Sequence, residues 1–276
     1  MRRLISFFYI LVSLSASLTV FAGSAPGTGM YQSIHDLNNG PDGSGVSFSV
    51  PGFAKDSGER LCAYCHTPHH AITFSDAGAN GADTLPLWSH TVSIVNYSPY
   101  MSASFTPKGG KTMAADPLSG PSRLCMSCHD GLTAVDSYYG LLNNHIMTPL
   151  ASPPYPGMPV INNNGSKSHP IGFAMTDVIP GYPGATNPDN SILPLNNTST
   201  YLTGSGYQGP TIISRLALGT IMTCSTCHDV HNSLNKISYL AGTQNYLILA
   251  PQTNSSLCFS CHTTTSGVSG TAHNWQ

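Results

Sequence analysis

The chain has 276 residues, of which 8% are charged, and its formal net charge is −2; about a quarter of residues are charged in ordinary soluble domains. A hydrophobic content of 40% excludes a disordered chain. The 27 glycines and 21 prolines, with little helical periodicity between them, predict a chain that is mostly coil. Something other than a large protein core must therefore organise the fold.

Residues 1–22 are the first predicted element. Arg2 and Arg3 precede an apolar run that ends in Val20-Phe21-Ala22, where small residues suit cleavage after Ala22. This pattern predicts a secretory signal peptide. A membrane anchor is the alternative, but no positively charged flank follows the run. No later segment is apolar enough to span a bilayer. We therefore expect an exported protein without a membrane span, extracellular or at the cell surface, with the periplasm as the alternative.

Four C-x-x-C-H motifs follow in chain order and contain all eight cysteines. They are CAYCH at 62–66, CMSCH at 125–129, CSTCH at 224–228 and CFSCH at 258–262, called the first to fourth motifs. The pattern is the attachment signature of c-type haem. Two thiols on one side of a helical turn each form a thioether to the haem, and the next histidine ligates the iron.

Disulfides and zinc sites are the alternatives for cysteines in an exported protein, but neither explains a histidine after every second cysteine. The motifs therefore predict four covalently bound c-type haems. The predicted thioether residues are Cys62, Cys65, Cys125, Cys128, Cys224, Cys227, Cys258 and Cys261. The predicted proximal iron ligands are His66, His129, His228 and His262.

Further histidines are available as the second axial ligands. CHTPH and CHDVH each place a histidine three residues after the proximal one. So short a segment cannot reach the other face of the same porphyrin, so we expect His69 and His231 to ligate a neighbouring haem. Methionine is the alternative ligand, but no methionine recurs at a fixed offset from a motif.

The order of these elements repeats. An upstream histidine, a C-x-x-C-H-x-x-H motif and a plain C-x-x-C-H motif occur at 35–129 and again at 169–262. This predicts two dihaem copies, copy 1 at 23–150 and copy 2 at 151–276, within one haem-cored domain. We expect the upstream histidine to ligate the first iron of its copy and the C-H-x-x-H histidine to ligate the second.

The predicted distal ligands are therefore His35, His69, His169 and His231. The reserves are His90, His145, His70 and His273, for which hydrogen bonds to propionates or backbone are the alternative. The expected fold is mostly irregular coil with short α-helices at the haem motifs and few strands, organised around stacked haems.

Six segments resemble one family of proteins. They are LCAYCHTPHHA, PLWSH, GPSRLCMSCHDGLTAVD, SHPIGF, MTCSTCHDVHN and LILAPQTNSSLCFSCH. In this order they resemble the extracellular tetrahaem cytochromes of metal-reducing bacteria, the OmcE-like proteins, within the wider doubled C-x-x-C-H group. The resemblance covers most of residues 30–262. It implies stacked haems, polymerisation into conductive filaments, and a histidine of one subunit that ligates a haem in the next. His35, near the predicted mature N-terminus, is expected in that role.

Four irons with two histidine ligands each would leave no open site, so we expect outer-sphere electron transfer and no enzyme activity. The expected partners are other copies of the chain joined head to tail, redox proteins, and extracellular metal or mineral acceptors; nucleic acid is not expected. The alternatives are a monomeric periplasmic shuttle and, less favoured by four regular motifs, an oxidoreductase with one open iron.

Overall fold

The computed structural model describes residues 30, 35–38, 55–73, 86–98, 117–141, 143–146, 160–161, 165, 168–186, 188–202, 210–231, 247–250 and 253–263. The predicted signal peptide and His273 lie outside the described residues. Within the described residues, no helix is both long enough and apolar enough to cross a membrane.

Most of the described chain is coil, as the glycine and proline content predicts. The α-helices are α1 (Pro121–His129), α2 (Met175–Val178), α3 (Cys224–Cys227) and α4 (Ser256–Phe259). Two 3-10 turns cover Ile213–Arg215 and Thr253–Ser255. Extended segments in the described ranges meet as isolated antiparallel bridges. Short helices therefore occur at the second, third and fourth motifs, as predicted, whereas the first motif is a hydrogen-bonded turn.

Small apolar clusters contain the packed side chains of the described residues. Cys65 and Cys128 pack against one that includes Tyr64 and Tyr138. Cys227 and Cys261 pack against a larger cluster in copy 2, which is built of Phe173, Met175, Val178, Ile179, Ile192, Leu195, Tyr201, Ile212, Ile213, Leu216, Met222, Leu249 and Ala250. Within each copy, the second cysteines of the two motifs therefore share one apolar cluster.

Residues on both sides of the predicted boundary between the copies pack together. The Ile161 N–H donates to the His129 carbonyl at 2.8 Å. Ile161 and Ile171 of copy 2 pack against Leu118 and Met126 of copy 1. The two predicted copies are thus in direct contact.

Gly172 permits a close approach of the two backbones. Its φ is +76°, and a Cβ atom there would lie 2.6 Å from the Cα and carbonyl oxygen of Pro117. The Gly172 N–H donates to the Met222 carbonyl at 2.9 Å. Gly172 therefore lies between the segment that leads into α1 and the segment that leads into α3, where a side chain would not fit.

The segments beside the first and third motifs pair in the same way. His66 forms a bridge with Trp88, and His228 forms one with Ile248. In both places the second cysteine's carbonyl accepts a hydrogen bond from the far strand, and the residue after the histidine donates one back. The four bonds are Ser89 N to Cys65 O at 2.9 Å, Thr67 N to Leu87 O at 2.8 Å, Leu249 N to Cys227 O at 3.0 Å and Asp229 N to Leu247 O at 2.9 Å. The fourth motif has the same arrangement, with a bridge from His262 to Ile192 and bonds from Leu193 N to Cys261 O at 2.8 Å and from Thr263 N to Ser191 O at 2.9 Å. This local structure thus recurs at the first, third and fourth motifs.

Asp130 fixes the chain that leaves α1. Its side chain is fully buried. It accepts hydrogen bonds from the backbone N–H groups of Leu132 and Thr133, at 2.8 and 2.7 Å. The hydroxyls of Thr133 and Ser93 also donate to it, both at 2.7 Å. Asp130→Ala leaves these donors without their acceptor, so we expect the free energy of unfolding to fall by about 3 kcal/mol.

Guanidinium unfolding of the protein as isolated, followed by far-ultraviolet circular dichroism, measures the effect of Asp130→Ala. Asp177→Ala, at a half-buried position in α2, is the matched control and should cost less than about 1 kcal/mol. Equal losses for the two variants would contradict the proposed importance of the four hydrogen bonds.

Candidate haem-binding sites

Each C-x-x-C-H motif forms one helical turn. In three of them the histidine N–H donates to the carbonyl of the first cysteine. These bonds are His66 to Cys62 at 2.7 Å, His228 to Cys224 at 3.0 Å and His262 to Cys258 at 2.8 Å. The second motif lies within α1. A single turn brings both thiols and the imidazole to one side, which is the arrangement that haem attachment needs.

The two alternative uses of the cysteines can be compared with this geometry. All eight cysteines are described, and none forms a disulfide. Among the described residues, no group of three or more His, Cys, Asp or Glu side chains is arranged to hold a bare metal ion. The cysteines are instead arranged motif by motif, each pair beside its own histidine.

Three pairs of histidine rings stand at the spacing of two ligands on one iron. The ring centroids are 6.1 Å apart for His35 and His129, 6.2 Å for His66 and His231, and 6.2 Å for His169 and His262. Bonds of about 2.0–2.1 Å from imidazole nitrogen to a metal, one on each side, put two ring centroids about 6 Å apart. Each pair joins a motif histidine to one from another part of the chain, so a haem iron fits between the rings.

The neighbours of these histidines differ from the pairing that the sequence predicts. His35 and His169 stand beside His129 and His262, the second motif histidines of their copies. His231 stands beside His66, which belongs to the other copy. Spacing along the sequence shows that the elements repeat, but the neighbours of each histidine depend on how the two copies pack.

His35 is held within its own chain. Asn38, three residues after His35, is buried, and its Oδ1 accepts hydrogen bonds from the Tyr64 hydroxyl at 2.9 Å and the Asp56 N–H at 3.2 Å. Tyr64 belongs to the first motif, so this motif fixes the segment that presents His35 to His129. This placement argues against the expected role of His35 as a ligand to another chain.

Burial, with a smaller contribution from the nearby His129, lowers the pKa of His35 to about 3. The imidazole is therefore neutral near pH 7. Neutral imidazole is the form that binds iron.

The orientation of His66 and His169 leaves one nitrogen available to iron. His66 Nδ1 lies 2.7 Å from the Pro86 carbonyl oxygen, and His169 Nδ1 lies 2.9 Å from the Pro170 carbonyl oxygen. A carbonyl can only accept, so Nδ1 carries the proton and Nε2 keeps its lone pair. Histidines that bind metals usually have their other nitrogen fixed in this way.

His69 and His231 are presented by the same local turn. The His69 N–H donates to Thr67 Oγ1 at 3.3 Å, and the His231 N–H donates to Asp229 Oδ1 at 3.0 Å. In both cases the acceptor side chain belongs to the residue directly after the proximal histidine. Both histidines are exposed, but only for His231 is a neighbouring ring described, that of His66.

The described reserve histidines have other environments. His90 is fully buried; its Nδ1 donates to the Thr91 carbonyl at 2.7 Å, and its Nε2 lies 3.6 Å from Cys128 Sγ. Burial lowers the pKa of His90. His145 Nδ1 donates to Asp136 Oδ2 at 2.5 Å. His70 is exposed, with a φ of +59°.

The second and third motifs meet directly at a contact that we call the inner joint, formed by Ser122, Cys125 and Cys224. The Cys125 and Cys224 side chains are neighbours. The Cys224 N–H donates to Ser122 Oγ at 3.1 Å. At Gly120, whose φ is +67°, a Cβ atom would lie 3.0 Å from the Cβ of Ala217. The two copies are therefore joined at residues that begin their haem motifs.

The inner joint was not predicted from the sequence. A signal for it exists, because the pattern S-x-L-C-x-S-C-H occurs at 122–129 and again at 255–262. The shared serine three residues before the first cysteine is the residue that accepts the hydrogen bond in the inner joint.

Comparison of the chain with models of known protein families gives no match, and comparison with curated proteins gives none either. The assignment of a function therefore depends on the motif turns and the histidine pairs.

Proposed function

We propose that the protein is a tetrahaem c-type cytochrome that carries electrons through a chain of haems, each iron ligated by two histidines. The observation that supports this best is the set of three ring pairs at 6.1–6.2 Å. In this proposal His231, His35 and His169 are the distal ligands of the first, second and fourth motif haems.

Haem, when bound, supplies the redox chemistry, since its iron gains and loses one electron. The chain's own residues hold and orient the ligands. The Pro86 and Pro170 carbonyls fix the rings of His66 and His169. Two histidines on every iron leave no position for a substrate, so the protein transfers electrons without making or breaking bonds.

We further propose that the subunits assemble head to tail into a filament, with His69 as the ligand that crosses between chains. Within one chain, His231 of copy 2 stands beside the first motif histidine of copy 1. His69 is the copy 1 counterpart of His231, presented by the same turn. Within the chain, the C-H-x-x-H histidine of one copy thus stands beside the first motif histidine of the preceding copy. If this also holds between chains, His69 of one chain lies beside His228 of the preceding chain. Such a contact does not close on itself, so it generates an open filament.

Spectroscopy and electron microscopy test the two parts of this proposal. The secreted protein should carry four haems by mass spectrometry. In filaments, the oxidised protein should give low-spin ferric signals alone, and the reduced protein should not bind carbon monoxide. A high-spin signal or a carbon monoxide adduct in filaments would favour an oxidoreductase with an open iron. Secreted material that stays monomeric would favour a soluble shuttle.

His169→Ala tests the ligand assignment. Since His169 stands beside His262, we expect one of the four haems to become high-spin and to bind carbon monoxide. Electron paramagnetic resonance measures this as a new high-spin signal equal to a quarter of the haem. His70→Ala, at an exposed histidine, is the control and should leave all haems low-spin. An unchanged spectrum for His169→Ala would remove this residue from the ligand set.

A further inference from the structure

The second and fourth motifs are counterparts in structure as well as in sequence. In both, a serine hydroxyl donates to the carbonyl four residues earlier: Ser127 to Arg123 at 3.1 Å, and Ser260 to Ser256 at 2.9 Å. On the shared pattern S-x-L-C-x-S-C-H, Ser255 corresponds to Ser122 and Cys258 corresponds to Cys125. The side of the inner joint formed by Ser122 and Cys125 therefore recurs at the fourth motif as Ser255 and Cys258.

The other side of the inner joint also has a counterpart. The first and third motifs share the turn that presents His69 and His231, and the second and fourth motifs have no histidine at that position. Cys62 therefore corresponds to Cys224.

Burial distinguishes the inner joint from its counterparts. Cys125 and Cys224 are partly buried and face each other, whereas Cys62 and Cys258 are the exposed members of the eight cysteines. The two surfaces of the inner joint thus occur together once within the chain. They occur again, separately and exposed, at the first and fourth motifs.

We propose that the contact between two chains repeats the inner joint, so that the fourth motif of one chain meets the first motif of the next. Cys258 then lies beside Cys62 of the following chain, and that chain's Cys62 N–H donates to Ser255 Oγ. The inference rests on the proposed filament. It adds which two surfaces meet, those around Cys258 and Cys62, and therefore the direction in which successive chains are joined. The partner is a second copy of the chain, because the counterparts of these two surfaces already pack against each other at the inner joint.

Charge is compatible with this contact. Residues 253–263, around the fourth motif, include no Asp, Glu, Lys or Arg. The exposed Glu59 and Arg60, which precede the first motif, therefore meet no like charge within that segment.

Two single variants, Ser255→Arg and Leu61→Arg, test the polarity. Each places a long charged side chain beside one end cysteine and leaves every C-x-x-C-H motif intact. Either variant alone should be a monomer that keeps four haems, of which three are low-spin, because the third-motif haem then lacks the His69 of a neighbouring chain. Mixed one to one, they should form a dimer, because the first keeps its Cys62 surface and the second keeps its Cys258 surface. Light scattering during size-exclusion chromatography measures the doubling of mass.

Ser214→Arg, at an exposed serine on the 3-10 turn of copy 2, is the matched control and should form filaments as the parent does. If Ser255→Arg lowers the haem content, Asn254→Arg at the exposed neighbouring residue takes its place. Filaments of normal abundance from the end variants would overturn the inferred joint while leaving the filament itself in place. Monomers that do not pair on mixing would also overturn it. A parent protein that never polymerises would instead refute the proposed filament.

Discussion

His69→Ala is expected to abolish filaments while the secreted chain keeps all of its haems. The C-x-x-C-H cysteines, which hold the haems in the proposed cytochrome, are unchanged by this substitution. The contact between chains loses the ligand that crosses it, and truncation of such an interface anchor costs about 2–4 kcal/mol, or roughly thirtyfold to a thousandfold in affinity. Negative-stain microscopy of secreted material measures the loss of filaments, and the absorbance per chain measures the haem content.

His35→Ala is the informative comparison for His69→Ala. Because His35 stands beside His129 of its own chain, its removal should leave one high-spin haem per chain in filaments that still form. The opposite result, in which His35→Ala prevents polymerisation and His69→Ala does not, would restore the crossing role that the sequence alone predicts for His35.

Gly172→Ala is expected to produce the largest loss of stability among simple glycine substitutions. An alanine at a φ of +76° is strained by about 1–2 kcal/mol. Its Cβ would also lie 2.6 Å from the Pro117 backbone, and relief of this overlap requires a backbone shift that costs about 1–3 kcal/mol more. We therefore expect a total loss of about 2–5 kcal/mol, measured by guanidinium unfolding of the haem-loaded protein.

Gly181→Ala separates the two causes of this loss. Gly181 has a φ of +74°, but a Cβ atom there would have no neighbour within 4 Å. Its substitution should therefore cost only the backbone strain of about 1–2 kcal/mol. If Gly172→Ala and Gly181→Ala are equally destabilising, the close approach of residue 172 to Pro117 does not contribute to stability.

The parts of the structure that follow from local chemistry could be predicted from the sequence. The 27 glycines and 21 prolines predict the coil, because these residues disfavour both helices and strands. The C-x-x-C-H spacing predicts the turn at each motif, since the hydrogen bond from His66 to Cys62 spans only four residues. The first motif forms this turn without a helix, so the spacing defines one turn and nothing longer.

The ligand pairs could not be predicted, because they depend on contacts between distant residues. His35 reaches His129 through the bond between Asn38 and Tyr64, which lie 26 positions apart. The approach of Gly172 to Pro117 likewise joins the two copies across their predicted boundary. No sequence spacing contains such information. The serine shared by 122–129 and 255–262 was a usable signal, but its meaning becomes clear only when Ser122 is seen bound to Cys224.

The neighbouring side chains of Cys125 and Cys224 would have a consequence for conduction in the proposed filament. If the contact between chains repeats this contact within the chain, an electron meets the same protein structure at a subunit boundary as it does halfway along a subunit. The boundary then adds no contact resistance of its own. The resistance of a filament should rise in proportion to its length, and a covalent fusion of two chains should conduct no better than two chains that assembled by themselves.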